Sequence, residues 1–330
     1  FMKLKEWYSS KQKKKIESNM IKVIKKNTNP QITNLLKKQI FPSKRIRSYF
    51  LYILCNQLLK EEEFYFLANA IELFHQATLI YDDILDNSDF RDGNRITLHN
   101  KFGEKSISSC GKADHLASIL VACAEEELNK LNDLKLINLF LSLRLKLFKA
   151  QLVDTIVIKK PKNISHLNWL IKESYQKTSA FFEFIFSIYA IKSNKRDKDF
   201  KETKKIGKAI GILYQIGDDL FEIENGVNYN TTSLTYNLSY LLDNKRLLNK
   251  QENIFLKSFI KKNSFSDEEF KQLNNIMKKY EDKIILSAQE RFKKYLGIVQ
   301  ETDQINDFMK KEIIDFSNRL LDTKYWNYKT

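Results

Sequence analysis

The sequence predicts an all-α fold, built as one large helical body, on three observations. Glycine (8) and proline (3) are scarce in 330 residues, far below their usual joint share of roughly 12%. Sandwiches, barrels and glycine-looped α/β units need more tight turns than that allows. Helical spacing of apolar residues runs through most of the chain, and 43% hydrophobic residues supply a core. Finally, Cys55, Cys110 and Cys123 form neither a disulfide framework nor a zinc pattern.

Taken in order, the breaks are few. Asn29-Pro30 and Phe41-Pro42-Ser43 separate N-terminal helices. From Glu61 to Leu85 apolar residues recur every three or four positions, which predicts a helix. Asp92-Gly93-Asn94 reads as a turn, and Leu128 to Val157 reads as one long helix. Pro161 opens a loop before a helix starting near Ser165, with Ser or Asn as its cap. The run Ser179 to Ile191 is only 13 residues and contains Glu183. It is a buried helix, too short and too charged to cross a membrane. Asn225-Gly226 begins a polar loop at 228–233, and the tail 322–330 is polar and aromatic. Without a repeat or a long linker, the chain reads as a single domain. No apolar leader precedes a cleavage site near the start. That points to the cytoplasm, or to an organellar matrix if a leader has been removed.

The net charge is +15. Nine arginines against 47 lysines make this a solvated lysine surface, and no nucleic-acid motif accompanies it. Against that background two windows stand out. Glu61 to Phe90 has no Lys or Arg but eight acids, and Ala209 to Asn244 again has none. Both Asp-Asp doublets of the chain fall here: Asp82-Asp83-Ile-Leu-Asp86 and Asp218-Asp219-Leu-Phe-Glu222. On a helix, Asp82 with Asp86 and Asp218 with Glu222 share a face, where like charges repel. One such cluster is unremarkable as a solvated helix end. Two, each in a base-free window of a basic protein, call for a cation. Oxygen-only donors suit Mg²⁺, which completes its shell with water and substrate phosphate, so a diphosphate ligand follows.

With these motifs the sequence resembles the trans-isoprenyl diphosphate synthases of the polyprenyl synthetase family. The likeness runs from about residue 40 to 320. It takes in Lys44-Arg45-Ile46-Arg47, the stretch Glu72 to Asp86 with His75, and Ser88 to Gly93. It continues through His99 to Gly103, Lys177-Thr178-Ser179, Tyr214 to Asp219, and Asp315 to Arg319. The resemblance implies an isoprenoid-synthase helical bundle around a deep central cavity. It implies Mg²⁺ on Asp82, Asp83, Asp86, Asp218, Asp219 and Glu222. Arg91, Lys177, Thr178 and Gln215 would meet an allylic prenyl diphosphate, and Lys44, Arg47 and His75 would hold isopentenyl diphosphate. The implied activity is condensation of the two into a longer trans-polyprenyl diphosphate by a homodimer, or by a heteromer with a second synthase subunit.

Five departures accompany the likeness. Pro42-Ser43 replaces paired glycines, and Asp92 replaces the second arginine of an Arg-Arg-Gly. Ala150 to Asp154 replaces a Gly-Glu-x-x-Gln, and Glu222 replaces an aspartate. The stretch after the second motif lacks a lysine. These keep two alternatives open. One is an impaired or regulatory subunit of a heteromeric synthase. The other is an enzyme that ionises a prenyl diphosphate for cyclisation or transfer, although Gly226 stands where a cyclase would carry a metal ligand. Ala77 and Thr78, small residues five and four before Asp82, resemble the medium- and long-chain synthases, because short-chain members place a bulky aromatic there.

Overall fold

The computed structural model describes residues 2–40, 43–91, 95–103, 106–155, 160–225, 234–262 and 265–321. The Phe41-Pro42 break, the Asp92-Gly93-Asn94 turn, the 228–233 loop and the 322–330 tail lie outside them. The fold is all-α. Its first helices are α1 (Leu4–Trp7), α2 (Lys11–Asn27), α3 (Pro30–Ile40), α4 (Ile46–Cys55) and α5 (Glu61–Leu85). Strands β1 (Phe90–Arg91) and β2 (Arg95–Ile96) then form a two-residue antiparallel ladder. Helices α6 (Leu98–Lys101), α7 (Ile107–Asn129), α8 (Leu134–Thr155) and α9 (His166–Trp169) follow. A π-helical turn at Leu170–Ser174 leads into α10 (Gln176–Lys192) and α11 (Asp197–Asn225). The chain continues with α12 (Tyr236–Asp243), α13 (Lys250–Phe259), α14 (Asp267–Lys279), α15 (Glu281–Glu301) and α16 (Asp307–Leu320). No described helix is long and apolar enough to cross a membrane.

Helix starts follow their caps. Pro30 opens α3, where its missing N–H costs nothing. Ser165 caps α9 by accepting from Asn168 N–H at 3.2 Å. The helix read from Leu128 to Val157 is divided. Asn132 takes left-handed backbone at φ 49°, and Asp133 Oδ1 caps the restart by accepting from Lys135 N–H at 3.0 Å. Leucine periodicity passes through this corner and hides it.

The chain divides into two compact units: residues 1–142 with 184–204, and residues 143–183 with 205–329. The first centres on α5, buried on most sides and packed on α7. There Asn69 donates to the buried Glu127 at 2.8 Å, and Phe74 meets Phe140 at 5.0 Å between ring centroids. In the second unit Tyr214 stacks on Phe316 at 6.3 Å, and the fully buried Tyr236 reaches Ser287 on α15 at 2.9 Å.

Candidate functional site

The first acidic motif occupies the C-terminal turn of α5. Asn87, at φ 49°, ends the helix. Ser88 N–H returns to Asp83 C=O at 3.0 Å and Asn87 N–H to Ile84 C=O at 3.2 Å, the pair of bonds that closes a Schellman turn. Asp82, Asp83 and Asp86 thus gather at the negative end of a 25-residue helix whose last turn holds no base. Acids in that position are disfavoured by about 0.3–1 kcal/mol each. The second motif repeats the arrangement. Asp218, Asp219 and Glu222 lie in the last two turns of α11, again with no base in the final turn. The side chain of Glu222 lies outside the described residues, as does that of Asp154.

Each doublet splits its roles, because consecutive helical residues point about 100° apart. Asp82 and Asp218 are half-buried, whereas Asp83 and Asp219 are only 4% exposed. Asp83 Oδ1 accepts from Arg91 Nε at 2.8 Å and pairs with Nη2 at 2.6 Å, and Nη2 also donates to Leu79 C=O at 3.0 Å. Asp219 accepts from the Tyr175 hydroxyl and the Tyr236 N–H, both at 2.6 Å on Oδ2, and from Gln215 Nε2 at 2.9 Å on Oδ1. Burial pushes the Asp219 carboxyl up to about 7 against the pull of these donors. Both inward aspartates, expected among the metal ligands, are engaged by protein donors. Arg91, expected on the allylic diphosphate, is held by Asp83.

Gln215 connects the second motif to α10. Its Oε1 accepts from Thr178 Oγ1 at 2.7 Å, and its Nε2 lies 3.4 Å from Asp218 Oδ2 as well as on Asp219. Lys177 is half-buried beside it in sequence. The seam between these helices is tight. A methyl group built on Gly207 would lie 2.5 Å from the Phe182 carbonyl oxygen, and one on Gly211 would fall closer still to Ser179 Cα.

In the first unit, Arg47 Nη1 donates to His75 Nε2 at 2.8 Å. Burial, then Arg47, Arg45 and Arg91, hold His75 well below its ordinary value, so it is neutral with Nε2 as acceptor. Residues around Lys44 are pinned from behind: Trp7 Nε1 donates to the Lys44 carbonyl at 3.2 Å. The fully buried Arg45, in left-handed backbone at φ 52°, donates to Ile40 C=O at 2.7 Å and pairs with Glu17 and Glu72. Glu72 in turn accepts from Ser48 N–H and Oγ. Sequence reasoning named Lys44 and Arg47 but not this brace. Its only signal is that Arg45 is one of nine arginines. Tyr175 and Tyr236 were missed too, and only the i, i+4 spacing of Gly207 and Gly211 hinted at the seam.

Each donor set fits a hard cation: carboxylate oxygens at a negative helix end. Among the described residues no three carboxylates, imidazoles or thiols converge on a preformed metal cage. Mg²⁺ does not require one, since it takes one or two carboxylates and completes its shell with water and phosphate oxygens.

Comparison with known proteins bears on the family and the fold. The profile of the polyprenyl synthetase family matches residues 29–277. A short chain isoprenyl diphosphate synthase of Methanocaldococcus jannaschii is 30% identical over 200 residues, 58% of each chain. The chain spans 35–65% of the length of the curated relatives it matches. Among solved structures, polyprenyl synthase from Caulobacter crescentus CB15, complexed with calcium and isoprenyl diphosphate, superposes with a TM-score of 0.76. That match has 15% identity and covers 94% of both chains. A decaprenyl diphosphate synthase from Rhodobacter capsulatus gives 0.75 at 16% identity, covering 94% of this chain and 95% of that one.

Proposed function

Because the chain belongs to the polyprenyl synthetase family, we propose that it is a Mg²⁺-dependent prenyltransferase. It condenses isopentenyl diphosphate with an allylic prenyl diphosphate to give a longer trans-polyprenyl diphosphate. The observation that carries this reading is the pair of acidic helix ends, each with one aspartate outward and one locked inward. Asp82, Asp86, Asp218 and Glu222 would hold the metal, with Asp83 and Asp219 as their supports. Mg²⁺ bound there would neutralise the diphosphate leaving group as the allylic C–O bond ionises.

The remaining roles follow from the side chains. Arg91, oriented by Asp83, and Lys177 bring positive charge to the allylic diphosphate, and the amide of Gln215 is fixed by Thr178. Lys44 and Arg47 hold isopentenyl diphosphate. The neutral imidazole of His75 orients the Arg47 fork, whose geometry matches phosphate oxygens. The isopentenyl double bond attacks the carbocation, which in the cavity implied by the resemblance would be kept from water. The proton then leaves with the departing diphosphate.

A second reading, an impaired or regulatory subunit of a heteromeric synthase, is favoured by Asp92 and by the missing lysine after the second motif. One assay separates the two: purified protein, Mg²⁺, isopentenyl diphosphate and a series of allylic primers, with products resolved by chromatography. Elongated prenyl chains support the first reading. Silence that a partner subunit relieves supports the second, and cyclic hydrocarbons contradict both. We propose a second copy of the chain as partner. On α8, Leu145, Phe148 and Leu152 are 56%, 39% and 55% exposed at the i, i+3, i+7 spacing of an interface stripe.

A further inference from the structure

Along the seam of the second unit, α10 and α11 run antiparallel with four rungs: Phe182 on Gly207, Ser179 on Gly211, Thr178 on Gln215, and Tyr175 on Asp219. On α11 these positions are spaced by four and form one ridge. The glycine rungs set how closely the helices approach. Lacking side chains, they do not set rotation. The two polar rungs do, and they stand at the acidic end.

We infer that Tyr175 is a positioning residue for that end, an inference that rests on the function proposed above. It follows directly on the π turn, and its N–H bonds Leu170 C=O, five residues back, at 2.9 Å. Such a turn adds one residue to the helix and rotates all that follows by about 100°. Tyr175 is thereby brought to Asp219, with its ring buried (2% exposed) and its hydroxyl 2.6 Å from Oδ2. The same Oδ2 accepts the Tyr236 N–H, and Asn237 Nδ2 donates to the Asp219 carbonyl at 2.5 Å. Asp219 is therefore the point where α10, α11 and α12 are tied. Without the Tyr175 hydroxyl, Asp219 loses its direct tie to the start of the helix bearing Lys177 and keeps only the indirect one through Gln215 and Thr178. The relation between Asp218 and Lys177 is then loosened.

The test is calorimetric titration of inorganic pyrophosphate with Mg²⁺ into wild type, Tyr175→Phe and Ser287→Ala. The last removes the partner of the Tyr236 hydroxyl without touching the Asp219 carboxylate. Tyr175→Phe should weaken binding by about five- to tenfold and raise the Mg²⁺ needed for half-saturation. Ser287→Ala should lower the melting temperature and leave affinity unchanged. Should Tyr175→Phe fail to fold, Asp219→Asn, which keeps the side-chain volume but only one acceptor oxygen, is expected to show the same loss. Wild-type affinity in the Tyr175 variant, or equal loss in both variants, overturns the inference. A wild-type protein that binds no pyrophosphate overturns the proposed function instead.

Discussion

Arg47 and His75 meet at 2.8 Å, guanidinium Nη1 against imidazole Nε2. The contact requires a neutral ring, because an imidazolium has no lone pair to accept with. Burial and three arginines enforce that state.

His75→Gln should therefore raise the KM for isopentenyl diphosphate about tenfold, with the allylic KM unchanged, in steady-state assays. The same substitution tests linkage. The folded pKa of His75 lies below the unfolded value of about 6.5, so the unfolded chain binds the extra proton as pH falls. Stability from this group is complete above pH 6.5 and declines below it. Between about pH 7.5 and 5.5 the wild-type melting temperature should fall more than that of His75→Gln. Parallel falls would show that the ring is protonated in the folded protein.

Product length is tested at Thr78. Ala77 is fully buried, so a larger side chain there overpacks the core, at about 1–3 kcal/mol. Thr78 is half-buried and lies one turn before Asp82 on the same face of α5, about 6 Å deeper along the helix. Thr78→Phe should shorten the product by one or more isoprene units without slowing the first condensation, as read by product chromatography. An unchanged product distribution places the chain-length limit elsewhere.

Asp92→Arg supplies a cation where the resemblance implies one. A charge-assisted phosphate contact contributes roughly 1.5–3 kcal/mol, so the KM for isopentenyl diphosphate should fall at least tenfold. An unchanged KM would show that residue 92 does not serve that substrate.

Leu145→Glu places a charge in the exposed apolar stripe of α8. Sedimentation should show dimers for wild type and monomers for the variant. A wild-type monomer would contradict the dimer proposal.

The legible parts of this molecule are those that local pattern controls. The Glu61–Leu85 helix follows from apolar spacing, and the two acidic motifs from charge counts against a basic background. The orientation within each doublet was not legible. Asp82 and Asp83 are chemically identical, and only the packing around Arg91 turns one inward. Nor was the π turn before Tyr175, which has no composition signature. Arg45 reads as one more surface base until Glu17, Glu72 and the Ile40 carbonyl close around it.

The central claim is that both acidic helix ends bind Mg²⁺–diphosphate. Asp82 and Asp218 are the half-buried members of their doublets, so Asp82→Ala and Asp218→Ala should fold and melt close to wild type. The deciding measurement is the melting temperature with Mg²⁺ and a non-hydrolysable prenyl diphosphate, since a ligand that binds only the folded state raises it. A rise in wild type that both variants lose is the predicted result. An equal rise in all three proteins would contradict it.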